Sequence, residues 1–285
     1  MSYLVTSLHS SDQSICSQPA SVHGQYVRNE STGKKKSVDM SAGRRQSVTA
    51  QITRQARRLS AAIAPQLTKI ELPMLMKIPG VVIQARDSVQ IQMAIQNYIL
   101  HNVHNFEPVD FIISDLNKHL VLTAHVGANY VSFTECGRKV CELSFGDTGD
   151  RSNLLAKIKH PVSGMVVNEL VDFNNCVVVY NNTESAGARI EVVGSSWMAL
   201  LAKCGCAFTA DRWNVIAREQ KIAEVSPVTA LLQESSIQVV WENFCDMEMR
   251  MVALCFGLIQ LVRKAYSPLV TIMVSDGELN RMSSN

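Results

Sequence analysis

Asp246-Met-Glu-Met-Arg-Met-Val-Ala-Leu-Cys-Phe-Gly-Leu-Ile-Gln-Leu-Val262, closed by Arg263-Lys264, is the stretch on which the reading of the chain turns. Asp246 and Glu248 sit where acids suit the positive end of a helix dipole, and Arg263 and Lys264 where bases suit the negative end. No proline interrupts them, so the segment predicts a helix over 246–262. From Met251 to Ile259 every residue is apolar or glycine, which leaves no polar face; such a helix is buried in protein or in lipid. A span needs about 20 apolar residues, and this run is broken at Gln260 and at Arg263-Lys264. Length therefore favours the interior of a globular domain, with membrane insertion as the rival.

Around that segment, 285 residues with 47% hydrophobic and 18% charged content suffice for one domain with a large core plus an appendage. The net charge of +2 hides an asymmetry: residues 1–60 hold nine Lys/Arg against three Asp/Glu, whereas the remainder holds eighteen against twenty-two. The first 60 residues also hold twelve serines and little apolar periodicity, so residues 1–62 are expected to be a disordered basic tail. Three basic clusters stand in it beside serines: Lys34-Lys35-Lys36 before Ser37, Arg44-Arg45 near Ser47, and Arg57-Arg58 near Ser60. The serines are candidate phosphosites for a basophilic kinase. The basic residues are candidate contacts to an anionic phospholipid membrane, worth about 1 kcal/mol each near the surface. A solvated tail and a nuclear-import signal are the other readings of the same clusters. Eight cysteines at irregular spacing, with no secretory signal at the start, point to reduced thiols in the cytosol.

From about Leu72 short apolar runs alternate with turns. Phe111–Thr123 turns at Asp115 and Asn117, Val131–Leu143 at Gly137, Val177–Val192 at Asn181-Asn182, and Ala207–Ala217 at Asp211. With Met76–Gln84, Leu154–Lys159, Gly164–Val171 and Lys221–Val225, these predict roughly ten to twelve strands. A closed barrel would remove their exposed edges, and the single apolar helix that follows would fill it. The fold class is thus mainly β: a closed antiparallel barrel of about twelve strands around a buried hydrophobic C-terminal helix, over 63–275, with a polar tail at 276–285.

The helix, with its acid, alternating Met and base, and then its apolar run, resembles the phospholipid scramblase family, whose domain is similar to the Tubby C-terminal barrel. The hairpins Asp110–His125, Tyr130–Phe145, Leu154–Ser196 and Cys206–Glu224 match the family's order, and Leu75-Met-Lys-Ile-Pro-Gly-Val-Val-Ile-Gln84 resembles its entry strand. The resemblance implies ATP-independent, calcium-responsive movement of phospholipids between leaflets at the cytosolic face of the plasma membrane, with a nuclear or cytosolic pool. Its alternative is a Tubby-like lipid-binding adaptor without transport. Met251, Leu254, Phe256, Leu258 and Ile259 would then line the helix core or lipid path. Cys204 and Cys206 match family cysteines and are candidate acylation sites, though two ordinary thiols are the plainer reading.

Several family features are missing. The first 60 residues hold only Pro19, and Gly146–Ser152 has no cysteine where the acylation cluster belongs. The calcium loop's acidic positions fall on Gln233, Ser235 and Phe244, with Glu234, Glu242, Asn243 and Asp246 nearby. Ca2+ is the cofactor the resemblance implies, and this loop is a degraded version of its site. No Walker loop, nucleophile elbow, dinucleotide fingerprint or zinc spacing is present, so an enzyme is not expected; His101-Asn-Val-His104, the nearest pair, reads as a loop or strand edge. The net acidic body argues against nucleic acid as a partner. The oligomeric state has no signal in the sequence.

Overall fold

The computed structural model of the chain describes residues 70–101, 106–127, 130–145, 153–173, 176–181, 186–228 and 235–273. The tail clusters from Lys34 to Ser60, the segment 146–152 and residues 276–285 lie outside them.

Twelve strands form a closed barrel in which each strand lies antiparallel to its neighbours in sequence, and the last closes on the first. They are β1 (Gly80–Ala85), β2 (Val109–Asp115), β3 (Leu120–Val126), β4 (Val131–Glu135), β5 (Arg138–Phe145), β6 (Leu154–Lys159), β7 (Val166–Asp172), β8 (Cys176–Asn181), β9 (Ala186–Val193), β10 (Arg212–Ala217), β11 (Gln220–Pro227) and β12 (Ser236–Trp241). The seam pairs Gly80 with Val240 and Gln84 with Ser236. Alternate residues face inward, as in Val81, Ile83 and Ala85 of β1 or Leu122, Ala124 and Val126 of β3, all at most 1% exposed, and the alternation breaks where the register shifts, as in β6 and β7.

The expected count of strands is met by a partly different set. The run at Ala207–Asp211 is not a strand; β10 turns into β11 at Arg218-Glu219, where both residues take positive φ (50° and 61°). In its place stands β12, which the turn signals did not mark. Among the described residues the barrel is accompanied by α1 (Pro73–Lys77), α2 (Ser88–His101) and α3 (Ser196–Lys203), and residues 267–273 are also helical. The entry segment is therefore α1 followed by a strand beginning at Gly80, not a strand from Met76, because Pro73 sets the first turn of a helix. His101 ends α2 instead of lying on a loop or strand edge, and His104 is outside the described residues. Asp87 starts α2, its Oδ1 accepting from the N–H groups of Val89 and Gln90 at 2.9 and 3.1 Å.

The predicted core helix is α4 (Met247–Ala265). Asp246 caps it by accepting from the Met249 N–H at 2.8 Å, and Arg263 and Lys264 close its last turn. Fourteen consecutive residues, Met249 to Val262, are buried. Their partners come from all round the wall: Glu248 accepts from Asn168 of β7, Phe256 packs edge-on to Trp213 of β10, and Gly257 faces Ile83 of β1 and Val239 of β12. The helix occupies the barrel interior along its buried length. A Cβ on Gly257 would stand 2.9 Å from Val239 Cγ2, so the absent side chain sets how closely helix and wall approach.

Candidate functional site

Near its C-terminal end α4 leaves the barrel incompletely filled. Phe256, Gln260, Arg263 and Lys264 fall at i, i+4, i+7 and i+8, one stripe of the helix, and face Asp172 at the end of β7, Val177 of β8, Ile190 and Val192 of β9, and Asp211 and Trp213 at the start of β10. Between them lies a cavity of about 390 Å³. The Trp213 and Phe256 rings form its wall, with centroids 5.7 Å apart and planes at 80°. Lys264 Nζ lies 3.1 Å from Asp211 Oδ2, whereas Arg263 Nη1 lies 3.9 Å from Asp172 Oδ2, beyond hydrogen-bond reach. Gln260 is only 6% exposed, and no residue among those described hydrogen-bonds its amide. The arrangement is a chamber of mixed and largely polar lining, with aromatic and aliphatic side chains in its wall and Gln260, two cations and two carboxylates around it.

A second constellation sits on the barrel wall. His125 Nδ1 is 2.6 Å from Asp110 Oδ1 and its Nε2 3.2 Å from Thr134 Oγ1, while Arg86 holds the other Asp110 oxygen at 2.8 Å. Acid, imidazole and hydroxyl thus stand in the order that activates a nucleophile. Thr134 also reaches the Thr123 carbonyl at 3.4 Å, and the β4–β5 register shifts between Phe133 and Thr134. The set spans β2, β3 and β4 as a cross-strand cluster of polar and charged side chains.

The residues singled out in the sequence are distributed as follows. Met251, Leu254, Phe256, Leu258 and Ile259 are at most 2% exposed inside the barrel, and of these Phe256 lines the cavity. Cys204 and Cys206 follow α3, the first exposed and the second half-buried, its Sγ 3.9 Å from the Cys204 carbonyl. Burial pushes the Cys245 thiol up to about 11 and the Cys255 thiol well above its ordinary value, the latter also beside Cys141, so both are packing groups. Near the expected calcium loop, the Asp246 carboxylate is the α4 cap, and the carbonyls of Glu242 and Asn243 face the Arg250 guanidinium. Gln233 and Glu234 of that loop lie outside the described residues.

Sequence reading missed two features of α4. Arg250 is 3% exposed and donates to the carbonyls of Leu75, Ile78 and Cys245 at 2.6, 3.2 and 2.9 Å, with its guanidinium 5.3 Å from the Trp241 ring centroid. It ties α1 and the turn before α4 to the helix. Gln260, read only as an interruption of an apolar run, proves to be the polar lining of the cavity. The spacing of Phe256, Gln260, Arg263 and Lys264 carried that signal, but the strand ends that supply Asp172 and Asp211 are not adjacent in sequence.

No family model and no curated protein matches the chain. Among solved structures it is similar to the X-ray structure of a protein from Arabidopsis thaliana, with a TM-score of 0.37 and 12% identity over 65% of this chain and 93% of that one.

Proposed function

We propose that the chain is a lipid-handling barrel of the scramblase type, which meets an anionic phospholipid membrane through its basic tail and moves phospholipids between leaflets without ATP. The observation that supports it best is the cavity at the end of the core helix, where the Trp213 and Phe256 rings and aliphatic side chains adjoin a largely polar, charged lining, a mixture that an amphiphile can use. The architecture that the resemblance implied, a closed barrel around an apolar helix, is the second support.

One observation favours a rival reading, a Tubby-like lipid-binding adaptor without transport. Fourteen consecutive residues of α4 are engaged by the barrel, and none of the described helices is long and apolar enough to cross a membrane. Reconstitution separates the two. The full chain in liposomes carrying dye-labelled lipid, treated with an impermeant reductant, is expected to give bleaching beyond the outer-leaflet fraction, with and without calcium as separate arms. Bleaching that stops at the outer leaflet in both arms, with vesicle binding intact, leaves the adaptor.

A further inference from the structure

Two hydrogen-bonding side chains face the cavity at the end of α4 and make no hydrogen bond among the described residues. Gln260 is 94% buried with its amide unpartnered among the described residues, and its amide atoms are still reached from the cavity, since Asn168 Oδ1 is the one fully buried unpaired side-chain atom among those residues. Arg263, whose nearest acid stands 3.9 Å away, keeps its guanidinium fork open. Amide and guanidinium N–H groups converging on one space call for a ligand rich in oxygen.

The surrounding charge narrows the class. A bare anion would meet Asp172, Asp211 and the carbonyl end of α4, which favours cations; a bare cation would meet Arg263 and Lys264. A ligand carrying both signs a few ångströms apart satisfies both pairs. Trp213, in the cavity wall, offers the aromatic surface on which ammonium groups bind. The volume, about 390 Å³, lies within the range of small-ligand sites. Of the lining residues Val192 is 49% exposed, and Val193 and then Trp197 of α3, 65% exposed, follow it in the chain. Exposed apolar side chains of this kind suit a bilayer as the source of the ligand.

We infer that the cavity binds the phosphate-and-ammonium headgroup of a zwitterionic phospholipid. The phosphate sits on Arg263, Lys264 and the Gln260 amide, and the ammonium lies toward Asp172 and Asp211 against Trp213. The inference rests on the lipid-handling reading and names the headgroup class for its site.

The test titrates the full chain with soluble phosphocholine, inorganic phosphate and choline separately. Vesicles of phosphatidylcholine and of phosphatidylserine follow, at a salt concentration that screens the tail. Phosphocholine is expected to saturate, with phosphate and choline each weaker by about tenfold or more. Gln260→Leu is expected to keep or raise the melting temperature and yet weaken phosphocholine by about tenfold, and Arg263→Gln to weaken it similarly. Trp197→Ser is expected to lower binding to phosphatidylcholine vesicles while leaving the soluble probe unchanged. Phosphate binding as tightly as phosphocholine, or an unchanged affinity in Gln260→Leu, overturns the site. Soluble phosphocholine binding without any phosphatidylcholine vesicle binding overturns the lipid as its source. Transport undiminished in Gln260→Leu removes this site and leaves the transport reading, and phosphocholine binding without transport does the reverse.

Discussion

Two residues of α4 show how little the core tolerates. Gly257 costs the helix about 0.5–1 kcal/mol relative to alanine in an exposed position. Here a methyl would stand 2.9 Å from Val239 Cγ2 and 3.2 Å from Ile83 Cδ1. Gly257→Ala is therefore expected to destabilise, by about 1–3 kcal/mol of overpacking less the propensity gain, as read from a urea midpoint. A rise in that midpoint would mean that the wall yields. Arg250 makes the opposite demand, since its planar fork reaches the Leu75, Ile78 and Cys245 carbonyls together. Lysine keeps the charge but not the fork. Arg250→Lys should lower stability by about 1–3 kcal/mol through the carbonyls left unbonded, and a melting curve superimposable on the wild type would refute that.

At the scale of elements, the β10–β11 hairpin turns on Arg218 and Glu219, both in the left-handed region that disfavours ordinary side chains. Arg218→Asn should raise stability by about 0.5–1 kcal/mol, measured in denaturant, because asparagine tolerates that region. The same hairpin carries a pH dependence. Burial raises the Glu224 carboxyl, but hydrogen bonds from Lys221 and Arg212 outweigh it and hold the group below its ordinary value. A lowered folded-state value supplies stability above the ordinary glutamate range, about pH 4.3, that is lost as pH falls through the lowered one. Glu224→Gln is expected to flatten the acid limb of a stability–pH profile, and an identical limb would show the pair inert. This hairpin also marks how far the sequence was legible. Asp115-Asn117 and Gly137 announce their turns by residue type, whereas Arg218-Glu219 does not, so the turn was placed at Asp211 and β12 went uncounted. α4 was readable from its ends and its unbroken apolar run, and α2 escaped because it is apolar on two sides: Ile91 and Ala94 face the core while Val89 and Met93 face outward. The cavity was illegible for another reason, since its walls come from β7, β8, β9, β10 and α4, brought together by closure alone.

For the whole molecule, the excess of six positive charges in residues 1–60 against a net acidic remainder gives a charge-divided chain. Replacing Ser37, Ser47 and Ser60 together by aspartate would halve that excess, so sedimentation with anionic vesicles is expected to drop, and to drop further as salt shortens the Debye length from about 10 Å at 0.1 M. Equal sedimentation of the variant and the wild type at every salt concentration would make the tail a bystander. The order of the elements has a further consequence, for synthesis. Every inward side chain of the twelve strands awaits α4, which follows them all, and the seam joins Gly80 to Val240. At about 5–20 residues per second, roughly 10–40 s separate the appearance of β1 from the completion of the helix, and throughout that interval the nascent sheet has no centre to close upon. A ribosome stalled before Asp246 would carry a hollow, sticky intermediate, which makes this chain a natural client for chaperones acting during translation.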